Sequence, residues 1–142
     1  MSVYFDTSSF VKLVLAEDGS REVQRAWDSA EARVASVALI AESRAAIAAA
    51  RRDGRVDPRR YSAVIEDLVG LWHQINGIIL TEELAVRAGE LAVIGALRGY
   101  DAIHLASAEA ILDDGDVMVV SDTRLAEAAA SIGIEALVPA EA

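Results

Sequence analysis

Residues 117–132 read VMVVSDTRLAEAAASI, a stretch that contains the unit from which the fold is built. Four consecutive apolar residues predict a buried strand at 117–120. Ser121 and Asp122 interrupt the apolar run, and the alanine-rich segment that follows is typical of a helix, which Gly133 ends. A strand that leads directly into a helix is the repeating element of α/β proteins.

The same unit recurs along the chain. Residues 3–5 predict a strand that runs into Asp6 and then a helix over 8–16, and a second helix follows Ser20. Other strands are expected at 33–35, at 78–80 after the turn Asn76-Gly77, and at 134–138. This alternation predicts an α/β three-layer sandwich in which helices flank a mostly parallel central sheet. The remaining helices are expected to begin at four capping sites: Ser36, Asp57-Pro58, Thr81 and Asp101.

Composition narrows the class of protein. The 142 residues favour a single domain spanning 1–142, and a hydrophobic fraction of 54% argues against disorder. The chain has no cysteine, so disulfides and thiolate metal sites are excluded and a reducing cytosol is expected. We expect neither a signal peptide, because Asp6 and Lys12 interrupt the apolar start, nor a membrane span, because no uncharged apolar run reaches about 18 residues. The net charge of −10 argues against non-specific nucleic-acid binding but is compatible with carboxylates that hold cations.

Four acidic residues lie where a parallel sheet would place a ligand site. Asp6 and Asp122 each follow a predicted strand, and the carboxyl ends of parallel strands meet at one edge of the sheet. Asp101 lies at a helix N-terminus just after Gly99, and Glu42 lies in the second turn of a predicted helix among apolar neighbours. Each acid has an ordinary alternative role, as a helix cap for the three aspartates and as a solvated helix residue for Glu42.

Taken together, the four acids favour a cation site. Clustered without a cation, they would repel one another and raise one another's pKa. A divalent ion removes that penalty, and oxygen ligands without cysteine and with few histidines suit Mg²⁺ or Mn²⁺ rather than zinc. A carboxylate-held pair of such ions is one established means of hydrolysing a phosphodiester, with water as the nucleophile.

Four stretches of the chain match the motifs of one known family. They are YFDTSSFVKL at 4–13, VALIAESRAAI at 37–47, LRGYDAIHLASA at 97–108 and VVSDTRLAEAA at 119–129. They fall in that family's order and at its spacings, and they span nearly the whole chain. DAIHLASA with a later D-x-R-L is the more specific combination, and all four stretches together form a strong match. On these stretches, the chain resembles a PIN-domain ribonuclease and, within that family, a VapC-type toxin of bacterial toxin–antitoxin pairs.

The resemblance implies a PIN-like domain in which Asp6, Glu42, Asp101 and Asp122, one from each stretch, ligate Mg²⁺ or Mn²⁺. It implies a metal-dependent endoribonuclease, and the family's targets are typically structured RNAs such as transfer or ribosomal RNA. It further implies a cytoplasmic homodimer, not bound to membranes, that a cognate VapB-type antitoxin inhibits.

One position departs from the family pattern. The family often has serine or threonine two residues before the last acid, where this chain has Val120, and the hydroxyl is on Ser121 instead. The family also often has a small polar residue two positions after its first acid, which is Ser8 here. Both serines are candidates to support a metal ligand, with helix capping as the alternative.

Several other residues have two interpretations each. His104 follows Asp101 by one helical turn and either reaches the site or packs along the helix. Arg124 either contacts a substrate phosphate or forms a salt bridge. Trp27 and Trp72 are expected to be core or interface anchors. A group of arginines in mid-chain is either a phosphate- or partner-binding patch or a solvated helix end: Arg44, Arg51, Arg52, Arg55, Arg59 and Arg60.

Three other functions compete with the nuclease. A catalytically silent PIN-like interaction module would not need the acids, yet all four are present. A haloacid-dehalogenase-like phosphatase also begins with a strand that ends in Asp, but that family places a second Asp where this chain has Ser8. A metal-free RNase would need two convergent histidines, for which His73 and His104 are weakly placed. Loss of activity in a chelator would separate the two metal enzymes, the nuclease and the phosphatase, from the silent module and the metal-free RNase.

Overall fold

The computed structural model describes residues 1–139 and contains, within them, five strands and seven α-helices. Of the predicted domain 1–142, Ala140, Glu141 and Ala142 lie outside the described residues. The strands are β1 (Ser2–Phe5), β2 (Ala32–Ser36), β3 (Asn76–Ile78), β4 (Val117–Val119) and β5 (Glu135–Leu137). The helices are α1 (Thr7–Phe10), which continues as a 3-10 helix at Val11–Leu13, α2 (Ser20–Ser29), α3 (Ala38–Arg52), α4 (Tyr61–Trp72), α5 (Glu82–Gly95), α6 (Gly99–Ile111) and α7 (Thr123–Ser131).

The five strands form one sheet in the order β3-β2-β1-β4-β5, and all four pairings are parallel. Tyr4 in the central strand pairs with Val34 on one side and with Met118 on the other. Parallel neighbours cannot be joined by tight hairpins, so each connection carries at least one helix across a face of the sheet. The predicted α/β sandwich is therefore confirmed, with a sheet that is entirely parallel over the described residues.

The core has two layers, one on each face of the sheet, because successive side chains along β1 point to opposite faces. Val3 and Phe5 pack into one layer with Phe10 and Trp27, beneath the first four helices. Tyr4 packs into the other layer, which the last three helices cover. Trp27 is therefore a core residue, as expected, while the partly buried Trp72 packs against the first layer.

No helix within residues 1–139 is both long and apolar enough to cross a lipid bilayer.

Helices α1, α4 and α6 have bounds that differ from those predicted. The helix predicted over 8–16 is a four-residue α-helix with one 3-10 turn, in keeping with the low helix propensity of its valines. Helix α4 begins at Tyr61 rather than at Asp57-Pro58, because the Asp57 carboxylate accepts the N–H of Arg59 at 2.9 Å and forms a separate turn. Helix α6 begins at Gly99, which places Asp101 inside the first turn rather than at the cap.

The prediction of a turn at Asn76-Gly77 and a strand over 78–80 was wrong, since β3 spans Asn76–Ile78. Pairing with β2 decides this register, because Asn76 aligns with Val34 and Ile78 with Ser36. A Cβ at Gly77 would lie 3.1 Å from the Trp72 ring, so the glycine permits a close approach within the strand.

Candidate functional site

Asp6 lies at the carboxyl end of β1 and caps α1. Its carboxylate accepts the N–H of Ser9 at 2.9 Å, and the Ser8 hydroxyl donates to both carboxylate oxygens, at 3.0 and 2.9 Å. The residue is only 4% exposed. Burial raises the pKa of Asp6 above its ordinary value, although the hydrogen bonds from Ser9 and Ser8 oppose the shift. Asp6 is therefore a helix cap and, at the same time, a buried acid at the sheet edge.

Glu42 reaches the same edge from α3, whose start follows directly from the end of β2. The Ser36 hydroxyl accepts the N–H of Ala38 at 3.2 Å, so the serine supports the helix start one residue later than predicted. One carboxylate oxygen, Glu42 Oε1, accepts the Thr7 hydroxyl at 2.9 Å and lies 2.7 Å from His104 Nε2. Burial raises the pKa of Glu42, but the interactions with His104 and Thr7 outweigh this and leave it below its ordinary value.

Asp101 and Asp122 approach from the other side of β1. Asp101 is half-buried in the first turn of α6, and Asp122 follows β4 and caps α7 by accepting the N–H of Arg124 at 2.8 Å. Burial raises the pKa of Asp101, and the charges of Asp122 and Glu42 raise it further against the opposing effect of Arg98. Asp101 therefore lies close enough to Asp122 and to Glu42 for each to act on it electrostatically.

An open groove of about 420 Å³ runs along this edge. Three of the predicted acids line it, namely Asp6, Glu42 and Asp101, whereas Asp122 is not among the lining residues. Within residues 1–139, no three acidic or histidine side chains converge closely enough to hold one metal ion as they stand. The remaining lining residues are Thr7, Ser8, Val11, Ala45, Ala46 and His104.

The two candidate serines differ in their surroundings. Ser8 binds the Asp6 carboxylate, whereas the Ser121 hydroxyl is buried and has no hydrogen-bond partner among the described residues. Val120, at the position where the family often has a hydroxyl, is fully buried in the core layer that contains Tyr4. In this chain the hydroxyl is therefore on Ser121, one residue after a position that is buried in the core.

The arginines are mostly engaged with nearby groups. The Arg124 side chain is exposed and donates to the carbonyl of Ala96 at 3.3 Å, and within residues 1–139 it does not form the salt bridge that was one of its two predicted contacts. In mid-chain, Arg51 stacks over the Tyr61 ring with its guanidinium carbon 4.6 Å from the ring centre. Arg55 and Arg59 form exposed ion pairs with aspartates two residues away, Asp53 and Asp57. The solvated interpretation therefore accounts for much of that segment.

Tyr4 and Thr7 are site residues that the sequence did not single out, and His104 is one for which it left two interpretations open. His104 is 1% exposed and contacts all three of its polar partners through its ring nitrogens: Nδ1 lies 2.7 Å from the Tyr4 hydroxyl, and Nε2 lies near Glu42 and Thr7. The two interpretations of His104 were not exclusive, because it both packs along the helix and reaches the site. The signal that pointed to it was its spacing of one turn from Asp101.

Comparison with known proteins identifies the family. The PIN domain family matches residues 3–131. Ribonuclease VapC45 of Mycobacterium tuberculosis (strain CDC 1551 / Oshkosh) is 40% identical to this chain over 131 residues, which cover 92% of this chain and 91% of that protein. Ribonuclease VapC49 of Mycobacterium tuberculosis (strain ATCC 25618 / H37Rv) is similar to the same extent.

Solved structures share the fold at low identity. The crystal structure of PAE2754 from Pyrobaculum aerophilum has a TM-score of 0.70 at 20% identity and covers 96% of this chain and 83% of that one. VapBC2 from Rickettsia felis, bound to a DNA fragment from its promoter, has a TM-score of 0.66 at 10% identity and covers 97% and 98%. A toxin–antitoxin complex from Klebsiella pneumoniae has a TM-score of 0.62 at 20% identity and covers 99% of both chains.

The structural likeness concerns the fold alone, but the sequence match spans most of the chain and reaches two curated ribonucleases of one type. The chain therefore belongs to the PIN-domain family, as a VapC-type member.

Proposed function

We propose that this protein is a metal-dependent endoribonuclease, the toxin of a toxin–antitoxin pair. The observation that carries the proposal is the groove at the sheet edge, where Asp6, Glu42 and Asp101 line one open surface. Burial and then repulsion from Asp122 and Glu42 raise the pKa of Asp101, and the repulsive part is expected of acids gathered for a cation. The two similar M. tuberculosis proteins are both named ribonucleases, which supports the same class of reaction here.

The chemistry of the donor set fits a hard divalent cation. The acids offer oxygen atoms, the side chains repel one another, and the unpartnered Ser121 hydroxyl lies next to Asp122 in the described chain. We propose that Asp6, Glu42, Asp101 and Asp122 hold Mg²⁺ or Mn²⁺. Because no three of them converge as they stand, binding would require some carboxylates to turn toward the ion.

When bound, Mg²⁺ or Mn²⁺ supplies a Lewis acid for the scissile phosphate and lowers the pKa of water. Other residues of the chain would orient the carboxylates that hold the ion. Asp6 is held by two donors on α1, and Ser8 fixes both of its oxygens, so this carboxylate has a defined orientation. Ser121 would support Asp122 in the same way. Arg124 lies exposed beside Asp122 and, once released from the carbonyl of Ala96, could contact an RNA phosphate.

The partners follow from the same proposal. A cognate VapB-type antitoxin would inhibit the enzyme, and two solved structures of similar fold are a toxin–antitoxin complex and a VapBC complex. We also propose a homodimer, for which the exposed apolar side chains of Val86, Val93 and Ile94 on α5 offer a surface. The proposed homodimer rests otherwise on the resemblance alone. The proposed cytoplasmic location and lack of membrane association rest on the resemblance, the absence of cysteine and the absence of a long uncharged apolar run.

The proposal is tested by incubating the purified, antitoxin-free protein with total RNA in Mg²⁺ or Mn²⁺ and then in EDTA. Wild-type protein should produce discrete fragments in metal and none in EDTA, while Asp6→Asn should be inactive although folded. Asp114→Asn, in an exposed loop, is the matched control and should cleave like wild type.

A well-folded Asp6→Asn protein that cleaves normally would refute the assignment of the site. Cleavage that persists in EDTA would refute the metal. If the protein neither cleaves RNA nor binds metal, the result favours a silent PIN-like interaction module. An aspartyl-phosphate on Asp6 would favour the phosphatase.

A further inference from the structure

We propose that His104 is a positioning residue that orients Glu42, holding one of its carboxylate oxygens so that the other remains available to a cation. The inference deepens the proposed function and depends on Glu42 being one of the metal ligands. It assigns a task to a histidine that is not among the four proposed metal ligands.

The first observation is that Glu42 presents two different oxygens. Oε1 lies 2.7 Å from His104 Nε2 and accepts the Thr7 hydroxyl at 2.9 Å. Within residues 1–139, Oε2 has no hydrogen bond, although Glu42 lines the groove. A carboxylate anchored through one oxygen keeps a single orientation, whereas an unanchored glutamate samples several rotamers that ligand binding must then restrict. Supporting residues of this kind orient ligands in metal sites generally.

The second observation identifies which nitrogen of His104 carries the hydrogen. Nε2 lies 2.7 Å from Oε1 of the Glu42 carboxylate, which can only accept, so in the neutral ring the hydrogen lies on Nε2. Nδ1 is then an acceptor, and the Tyr4 hydroxyl donates to it at 2.7 Å while its oxygen accepts the N–H of Ser36 at 3.0 Å. We assign this tautomer from the donors and acceptors around the ring.

The third observation is that the chain of contacts crosses four elements. It begins at the end of β2 with Ser36, passes through Tyr4 in β1 and His104 in α6, and ends at Glu42 in α3. Ser36, Tyr4 and His104 are all buried, so their polar groups form hydrogen bonds with one another rather than with water. The orientation of Glu42 is thereby fixed by the packed core and not by the surface of its own helix.

His104 could instead serve packing alone, since its ring meets the Tyr4 ring edge-on at 5.8 Å. Two substitutions distinguish the roles. In His104→Gln the amide nitrogen takes the place of Nε2 and can still donate to Glu42, whereas in His104→Asn the amide is one bond shorter and cannot reach. Both variants lose the ring, so a packing role predicts that they behave alike.

The experiment measures Mn²⁺ binding by isothermal titration calorimetry on wild type, both His104 variants and His73→Asn, the exposed-histidine control. Thermal melts in EDTA establish that each protein is folded. We expect His104→Asn to weaken Mn²⁺ affinity by about 10- to 100-fold, and His104→Gln to stay close to wild type. In a Glu42→Gln background, His104→Asn should add no further loss, because the two changes act through one contact.

Equal Mn²⁺ affinities in the folded Asn and Gln variants, whether both weakened or both normal, would overturn the role of His104 while leaving the metal site in place. Wild-type protein that binds no Mn²⁺ would overturn the proposed metal site and, with it, this inference. A full additional loss in the Glu42→Gln background would show that His104 acts elsewhere.

Discussion

Replacing Tyr4 with phenylalanine removes one oxygen atom from the centre of the buried network. The Tyr4 hydroxyl accepts the N–H of Ser36 at 3.0 Å and lies 2.7 Å from His104 Nδ1, and all three residues are essentially inaccessible to solvent. Burial raises the pKa of Tyr4 far above its usual range, so the hydroxyl keeps its hydrogen throughout the assay. The substitution therefore leaves one buried donor and one buried acceptor without partners.

Each buried polar group left without a partner lowers the free energy of unfolding by about 1–3 kcal/mol. The variant recovers part of this loss, because it has no tyrosine hydroxyl that must lose its water on folding. We expect a net loss of about 2–4 kcal/mol in the free energy of unfolding. For a chain of 142 residues this corresponds to a fall in Tm of roughly 6–12 °C. A domain with a typical stability of about 5–15 kcal/mol would remain folded.

Urea unfolding in EDTA at neutral pH, followed by circular dichroism, measures the change. The m-value should stay constant, because the surface exposed on unfolding is unchanged. Tyr100→Phe is the matched control, since the Tyr100 side chain is 60% exposed and should tolerate the loss. If Tyr4→Phe lies within about 0.5 kcal/mol of wild type, the range typical of neutral surface changes, the hydroxyl does not make the hydrogen bonds that we assign to it with Ser36 and His104.

Three further predictions concern charge, metal and packing. Asp101→Asn should raise the stability of the metal-free protein at neutral pH, because the raised pKa of Asp101 means that its charged form is destabilised by folding. This gain should shrink as the pH falls through the folded-state pKa of Asp101, where the wild-type carboxylate takes up a proton. Tm measured against pH in EDTA tests this, and a gain independent of pH would contradict it. Mn²⁺ should raise the Tm of wild type, by the equivalent of about 2.7 kcal/mol of stability when the free Mn²⁺ concentration is 100 times the Kd. Asp6→Asn should lose that response, and wild-type melts unchanged by Mn²⁺ would count against the site. Leu125→Ala, at a fully buried position, should cost about 2–5 kcal/mol in urea unfolding. Ile79→Ala, 71% exposed and outside the proposed dimer surface, should be nearly neutral, and equal effects would contradict the packing.

Local patterns were sufficient for the class of fold. Valine-rich runs before alanine-rich helical segments predicted the α/β sandwich, and the position of Asp6 and Asp122 after strands predicted where a ligand site would lie. The fold class was predicted correctly because strand and helix preferences act over a few residues, whereas the ligand site remains a prediction. The predictions of individual strands did not all hold. They failed at β3, where Asn76 and Gly77 have the composition of a turn and pairing with β2 draws them into the sheet.

The sequence by itself determined the family, the alternation of strands and helices, and a set of acids at element ends. The tertiary structure alone decided the strand order and which acid meets which partner. Glu42 and His104 are 62 residues apart, and Tyr4 and His104 are 100 residues apart. No local preference encodes such contacts, because they arise when helices on opposite faces of the sheet pack against its central strand and bring buried polar groups together that must satisfy one another.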